Sequence, residues 1–172
     1  HAHFEAIQRQ EARQDEVEQL AGLGSWIHDL RANSLHWSDG AFRLFGIDPA
    51  AGVPPPKALL AHIHPNDQER WRETHRRAMK AGREVRVEFR WMRPNREVIW
   101  VRSVGHPEHD ARGEILRMTG IVQDITGIRS MQQQLAASEA KFRDLTHLSS
   151  DWIWETDPQH RVSFLSDSFA AV

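Results

Sequence analysis

The sequence predicts an α+β fold on three observations. Residues 84–91 alternate Val85, Val87, Phe89 and Trp91 with Glu84, Arg86, Glu88 and Arg90, the period of a half-buried antiparallel strand. After Thr126 the apolar spacing changes to 3, 4, 3, 4, 3 through Ile128, Met131, Leu135, Ser138, Phe142 and Leu145, the period of a helix seam. Between and around these, the elements run strand, strand, short helices, long helix, three strands and exit helix, with helices and strands in blocks.

Residues 4–22 are polar, with Phe4, Ile7, Val17, Leu20 and Leu23 in an imperfect heptad, and predict a linker helix over 1–22. Residues 25–30 and 34–37 are strand-like, joined by Arg31-Ala32-Asn33 as a hairpin connection. Ser38 is placed to cap a short helix through Phe42 and Phe45, and Gly46 to end it. Pro54-Pro55-Pro56 closes a turn-rich stretch before the short apolar segment of Leu59, Leu60 and Ile63. Asn66 followed by Glu69 predicts the start of a long helix running to about Lys80 and stopping at Gly82. The least charged stripe of that helix is Trp71, His75 and Ala78, which turns His75 inward. Strands follow over 84–91, 97–104 and 114–123, with a turn at Arg93-Pro94-Asn95-Arg96 and a polar loop from Gly105 to Gly113.

Composition excludes several classes. At 40% apolar and 27% charged, the 172-residue chain is globular rather than disordered. No run of about 18 apolar residues is present, so no membrane-spanning helix and no membrane contact is expected. The net charge of -2 gives no footprint for nucleic acid. Cysteine is absent, which removes disulfides, thiolate catalysis, zinc–thiolate sites and cysteinyl–flavin photochemistry, and is compatible with a reducing, cytoplasmic compartment. The chain begins at His1 with no leader pattern and reads as a piece of a longer protein.

An internal repeat adds to this picture. Trp26, Asp29, Ser38 and Asp39 recur without a gap as Trp154, Asp157, Ser166 and Asp167. The domains expected are therefore a linker helix over 1–22, a complete domain over 23–126, a heptad helix over 127–147 and the truncated start of a second domain over 148–172.

The order resembles the PAS/PAC domain of bacterial sensor proteins. The residues that carry the likeness are Trp26 to Asp29, Trp37-Ser38-Asp39, His64-Pro65-Asn66-Asp67, Val87 to Arg90 with Arg93-Pro94, Val98 to Val101, and Gly120 before Asp124-Ile125-Thr126. Asn95-Arg96 departs from the family's frequent Asp-Gly turn, which should change the geometry there. The resemblance implies a five-stranded antiparallel sheet with helices on one face and a ligand cavity between them. His28, Trp37, Phe42, Phe45, Leu59, Ile63, Trp71, His75, Val87, Phe89, Trp91, Trp100 and Met118 are the candidates to line it. The same side chains would equally make a filled core, and large aromatics leave less room for a cofactor. A filled core or a small-molecule pocket is preferred to a tightly held cofactor; haem through His75 and noncovalent flavin are the weaker alternatives. The resemblance also implies a signal relay at Asp124, Ile125 and Thr126, with Arg102 the expected partner of the Asp124 carboxylate.

His62 with His64, and His106 with His109, lack a third ligand at a motif spacing, and His1 and His3 sit at the chain end, so no metal site is expected. No phosphate loop, Gly-x-Ser-x-Gly or His-Glu-x-x-His is present, so no catalytic residue is assigned and the chain is not expected to be an enzyme. The resulting expectation is a sensory module of a multidomain signalling protein, with a sensor histidine kinase preferred to a diguanylate cyclase as parent. It would act as a homodimer through a seam of Ile128, Met131, Leu135, Phe142 and Leu145. The alternative is a ligand-free dimerisation scaffold, which predicts a packed core where a sensor predicts a cavity of some hundreds of cubic ångströms.

Overall fold

A computed structural model describes residues 21–148 and 154–165 of the chain. The elements are β1 (Leu23–Asp29), β2 (Ser34–Trp37), α1 (Asp39–Phe45), a 3-10 turn (Pro49–Ala51), α2 (Pro56–His62), α3 (Pro65–Ala81), β3 (Val85–Met92), β4 (Val98–His109), β5 (Ile115–Asp124), α4 (Thr126–Leu148), β6 (Trp154–Thr156) and β7 (Val162–Leu165). The linker helix expected over 1–22 lies outside the described residues apart from its last two positions. Among the described residues no helix is long and apolar enough to cross a membrane.

The described residues fall into two compact units, divided between Thr126 and Gly127. The first holds a five-stranded antiparallel sheet in the order β2-β1-β5-β4-β3. Directly paired residues share a face, so the pairings Trp26↔Trp37, Trp26↔Gly120, Gly105↔Gly120 and Val85↔Gly105 place one row across all five strands. Two glycines lie in that row because the Trp26 ring lies over them. A Cβ on Gly105 or Gly120 would come within 2.6 Å of the indole. Gly24 serves the helix layer in the same way, since a Cβ there would strike the backbone of Ala41 in α1.

The local signals explain most boundaries. The Ser38 hydroxyl accepts from the Ala41 N–H, and Gly46 ends α1 in the left-handed conformation (φ 69°). Gly82 ends α3 in the same way. The start of α3 differs from expectation: His64 is the cap, its Nδ1 accepting from the Asn66 N–H at 3.3 Å, and Pro65 holds the first turn. The loop expected from Gly105 is mostly strand, because β4 continues to His109 in register with β5. Gly105 reads as a breaker in the sequence but answers the Trp26 ring in the structure.

The free edge of β3 is closed by the α2–α3 connection. Ile63 bridges to Trp91, the His64 N–H donates to the Arg90 carbonyl, and Asp67 takes the Arg90 N–H at 3.0 Å. Arg96 occupies the β3–β4 turn with φ 69°, a left-handed conformation reached without glycine.

In the second unit, β6 and β7 form a hairpin. Its Trp154↔Leu165 pairing is the Trp26↔Trp37 pairing of β1–β2 displaced by the 128 residues of the sequence repeat. Asp29 and Asp157 play the same part in the two turns, each accepting backbone N–H groups through Oδ1.

Candidate functional site

Between the sheet and its helices lies a cavity of about 530 Å³. From the sheet, β1 contributes Trp26 and His28, β2 Leu35 and Trp37, β3 Val85, Phe89 and Trp91, β4 Ser103, and β5 Met118 and Val122. Alternation puts all of these on the helix-covered face. From the helices, Phe45, Leu59, Leu60, Trp71, His75, Ala78 and Met79 complete the wall. Pro55 and Pro56 also line it and are themselves exposed, so the cavity opens beside the proline run.

Its wall is mostly apolar ring and chain, and its polar groups are few. The His75 Nδ1–H donates to the Trp71 carbonyl at 2.9 Å, which leaves Nε2 as an acceptor. The Trp71 ring lies against the imidazole with centroids 3.9 Å apart. Burial holds the His75 pKa below its ordinary value, with the Trp71 hydrogen bond opposing and nearby His28 adding to the shift. Burial also lowers His28, with the Asp29 charge opposing. Both rings are therefore neutral near pH 7. No aspartate, glutamate, lysine or arginine is among the described residues lining the cavity.

Of the sequence candidates, the structure brings His28, Trp37, Phe45, Leu59, Trp71, His75, Phe89, Trp91 and Met118 together around this space. Four are corrected. Phe42 is buried against the Trp37 ring, and Ile63 and Val87 are buried in the packed core. Trp100 lies on the opposite face of the sheet, because Ile99 and Val101 take the inward positions of β4; the Arg90 guanidinium sits 5.4 Å from its ring centroid. Trp26, Leu35, Ser103 and the 53–56 stretch were not foreseen as lining residues. The signal for Trp26 was available, since alternation places it on the same face as His28.

The relay triplet is anchored at the end of β5. The Ile125 N–H donates to the Trp100 carbonyl at 2.8 Å, and the Thr126 hydroxyl accepts the Trp100 N–H at 2.9 Å. Asp124 Oδ1 accepts the Thr126 N–H at 2.9 Å, and Ile125 is buried. The expected Arg102 partner is corrected: Arg102 Nε donates to Glu88 at 2.9 Å, and Arg93 is the cation beside Asp124, at 3.8 Å. Arg93 is held there because it also donates to the Leu44 carbonyl at the end of α1, at 2.9 and 2.7 Å. On α4, Ile128, Met131 and Leu135 are exposed, Met131 by 71%. Phe142 lies beside Phe164 of the β6–β7 hairpin, with centroids 6.1 Å apart, and the Leu145 side chain lies outside the described residues.

The family model for the PAS fold matches residues 34–122. The chain belongs to the PAS family. The chain is 29% identical over 133 residues to the sensor protein FixL of Bradyrhizobium diazoefficiens, covering 76% of this chain and 26% of that protein. It is 21% identical over 152 residues to the probable diguanylate cyclase DgcE of Escherichia coli, covering 86% of this chain and 13% of that protein. Among solved structures, the sensory box histidine kinase/response regulator from Burkholderia thailandensis superposes with a TM-score of 0.60 at 21% identity, covering 77% of this chain and 98% of that one. The chain thus spans about a quarter or less of these two curated relatives, and it is a signalling PAS module.

The PAS resemblance raises two cofactors. His75 Nε2 is a chemically suitable axial ligand for haem iron, but the wall has no cation to meet haem propionates or a flavin phosphate. The side chains present do not fit either group.

Proposed function

We propose that this PAS module senses a small molecule in the cavity and passes the signal through Asp124-Ile125-Thr126 into α4, which pairs with α4 of a second copy. The observation that carries this reading is the anchoring of the triplet. Ile125, just before α4, and Thr126, its first residue, are hydrogen-bonded to the backbone of Trp100 in β4, so a change in sheet strain moves the start of the helix. The cavity supports a sensor over a ligand-free scaffold. The exposed Ile128, Met131 and Leu135 support the paired helix. The matched register of the β6–β7 hairpin supports the start of a second PAS domain. The parent is a cytoplasmic bacterial signalling protein, with a histidine kinase preferred to a diguanylate cyclase as effector, and this segment contributes no catalysis of its own.

Native mass spectrometry of the chain tests the pairing. A dimer is expected, and Met131→Glu with Leu135→Glu should weaken it by about a hundredfold, the effect of removing two buried apolar side chains. A wild-type chain that stays monomeric at micromolar concentration rejects the relay.

A further inference from the structure

Among the described residues two polar side chains are buried, Asp67 and Ser103, each 5% exposed. Asp67 is fully engaged, taking three donors of Arg90. Ser103 is not: its hydroxyl has no hydrogen-bond partner among the described residues. Nor is it sealed off. The one buried, unpartnered side-chain nitrogen or oxygen among those residues is Nε1 of Trp26, so Ser103 Oγ keeps a small accessible surface. That surface belongs to the cavity, because Ser103 takes an inward position of β4, between Val101 and Gly105, and lines the wall. It stands in the middle of the sheet, paired with Val87 of β3 and Val122 of β5. Both valines are buried, so an apolar side chain would pack here, and a hydroxyl loses water without a protein bond in return. Of the wall's other imidazole and amide side chains, His28 and His75 are half-buried and Asn33 is exposed. The wall holds no aspartate, glutamate, lysine or arginine. An ion entering would shed its hydration without a counter-charge, which costs far more than one hydrogen bond returns. Water alone would satisfy the hydroxyl and leave the surrounding rings wet. An apolar body carrying its own oxygen answers both.

We propose that the cavity receives a neutral, mainly apolar molecule with an uncharged oxygen at its leading end, a hydroxyl or a carbonyl, and that the Ser103 hydroxyl is the group that meets this oxygen. The inference rests on the reading of the cavity as the sensor's ligand site and names the chemistry and orientation of the ligand. It also places the contact beside the relay. Ser103 pairs with Val122, two residues before Asp124, and follows by three residues Trp100, whose backbone holds Ile125 and Thr126.

The test uses the intact chain and three probes that share one ring system: 1-naphthol, naphthalene and 1-naphthoate. Near pH 7 the phenol is neutral and the carboxylate is ionised. Calorimetric titration should show 1-naphthol binding, naphthalene binding about three- to tenfold more weakly, and 1-naphthoate not binding. Ser103→Ala should bind 1-naphthol and naphthalene equally, and without a probe its Tm should match or exceed the wild-type value. A Tm lower by about 5 °C or more would give the hydroxyl a structural bond instead and overturn its role in binding. A naphthol preference that survives Ser103→Ala also overturns that role. Equal binding of 1-naphthol and naphthalene by the wild-type chain overturns recognition of the oxygen. Equal binding of 1-naphthol and 1-naphthoate overturns the neutral class and leaves the cavity as a ligand site. So does binding of haemin or flavin mononucleotide where 1-naphthol fails. No binding by any of the five overturns the cavity reading itself.

Discussion

Two tryptophans on the same face of the sheet mark two different regions of the domain. Trp91 sits at the packed end, 1% exposed, against Phe45 at 4.4 Å and His62 at 4.8 Å, with its indole N–H bonded to the Phe45 carbonyl. Trp26 sits at the hollow end, over two glycines, with its N–H unmatched. Both line the cavity, but the Trp91 indole is hydrogen-bonded and bridged by the α2–α3 connection, and the Trp26 indole is neither. What separates them is the helix layer. Ile63 bridges directly to Trp91, whereas the Ala78, Val85 and Met118 cluster packs against Trp26 and lines the cavity with it. Side chains are therefore most tightly closed around Trp91, and the cavity extends from there towards Trp26.

Replacing the two rings measures the difference most directly. Trp91→Phe removes buried ring atoms and leaves the Phe45 carbonyl unpaired, and should cost about 3 kcal/mol in denaturant unfolding. Trp26→Phe removes no hydrogen bond and enlarges a space that already exists, and should cost about 1 kcal/mol. Equal costs would dissolve the distinction between the ends.

Acid should act on the two ends in different windows. Asp67 is 5% exposed and takes the Arg90 backbone N–H, Nε and Nη2, which hold its pKa at about 2. A lowered carboxylate pKa means the unfolded chain binds the proton first. The stabilisation, about 2 kcal/mol, is full above the ordinary aspartate value and is lost as pH falls through about 2. His75 and His28 have lowered pKa values too, so their contribution is full above about 6.5 and falls as pH drops below it. Stability measured against pH should decline first from the hollow end, a step that His75→Gln flattens. The decline below pH 4 should be shallower in Asp67→Asn, which also starts about 2 kcal/mol lower at pH 7. A wild-type profile flat from pH 7 to 5 would remove the histidines from this account.

The packed end was more legible in the sequence than the hollow one. Strict alternation over Val85 to Trp91 gives the strand, its inner face and four buried core side chains, because a two-residue period has one physical solution. The cavity depends on distances between elements far apart in the chain, and no local pattern reports those. Trp100 shows the limit: an aromatic in an apolar run reads as core, but its neighbours Ile99 and Val101 took the inner positions. The Asp124 partner was missed for a related reason. Arg93 and Arg102 are both arginines near the sheet, and only the fold shows that Arg93 reaches past Leu44 to the end of β5. Asp67 was read as part of a helix start, and nothing in its neighbourhood announces Arg90 as its partner across the strand edge.

Filling the hollow end should have the opposite sign from emptying the packed end. Ala78 is 8% exposed, on the inner stripe of α3, and lines the cavity. Ala78→Leu would place added apolar volume into existing space and should raise stability by about 1 kcal/mol. A loss of similar size would mean the wall cannot accept a larger side chain and is as tightly packed as the other end.

The smallest effect lies in the turn beside the packed end. Arg96 holds φ 69°, where a Cβ crowds the backbone and only glycine is at ease. The turn is kept by its surroundings: the Arg96 N–H donates to the Arg93 carbonyl at 2.8 Å, the Arg93 N–H donates to the Glu97 carbonyl at 2.8 Å, and Asn95 Oδ1 accepts the Glu97 N–H at 3.0 Å. None of these bonds uses the Arg96 side chain. Arg96→Gly should therefore relieve the left-handed strain, partly offset by the greater freedom glycine gives the unfolded chain, for a net gain of about 0.5 kcal/mol. The gain should appear in denaturant unfolding at equilibrium. A loss of stability would show that the Arg96 side chain itself holds the turn, against the backbone bonds that account for it here.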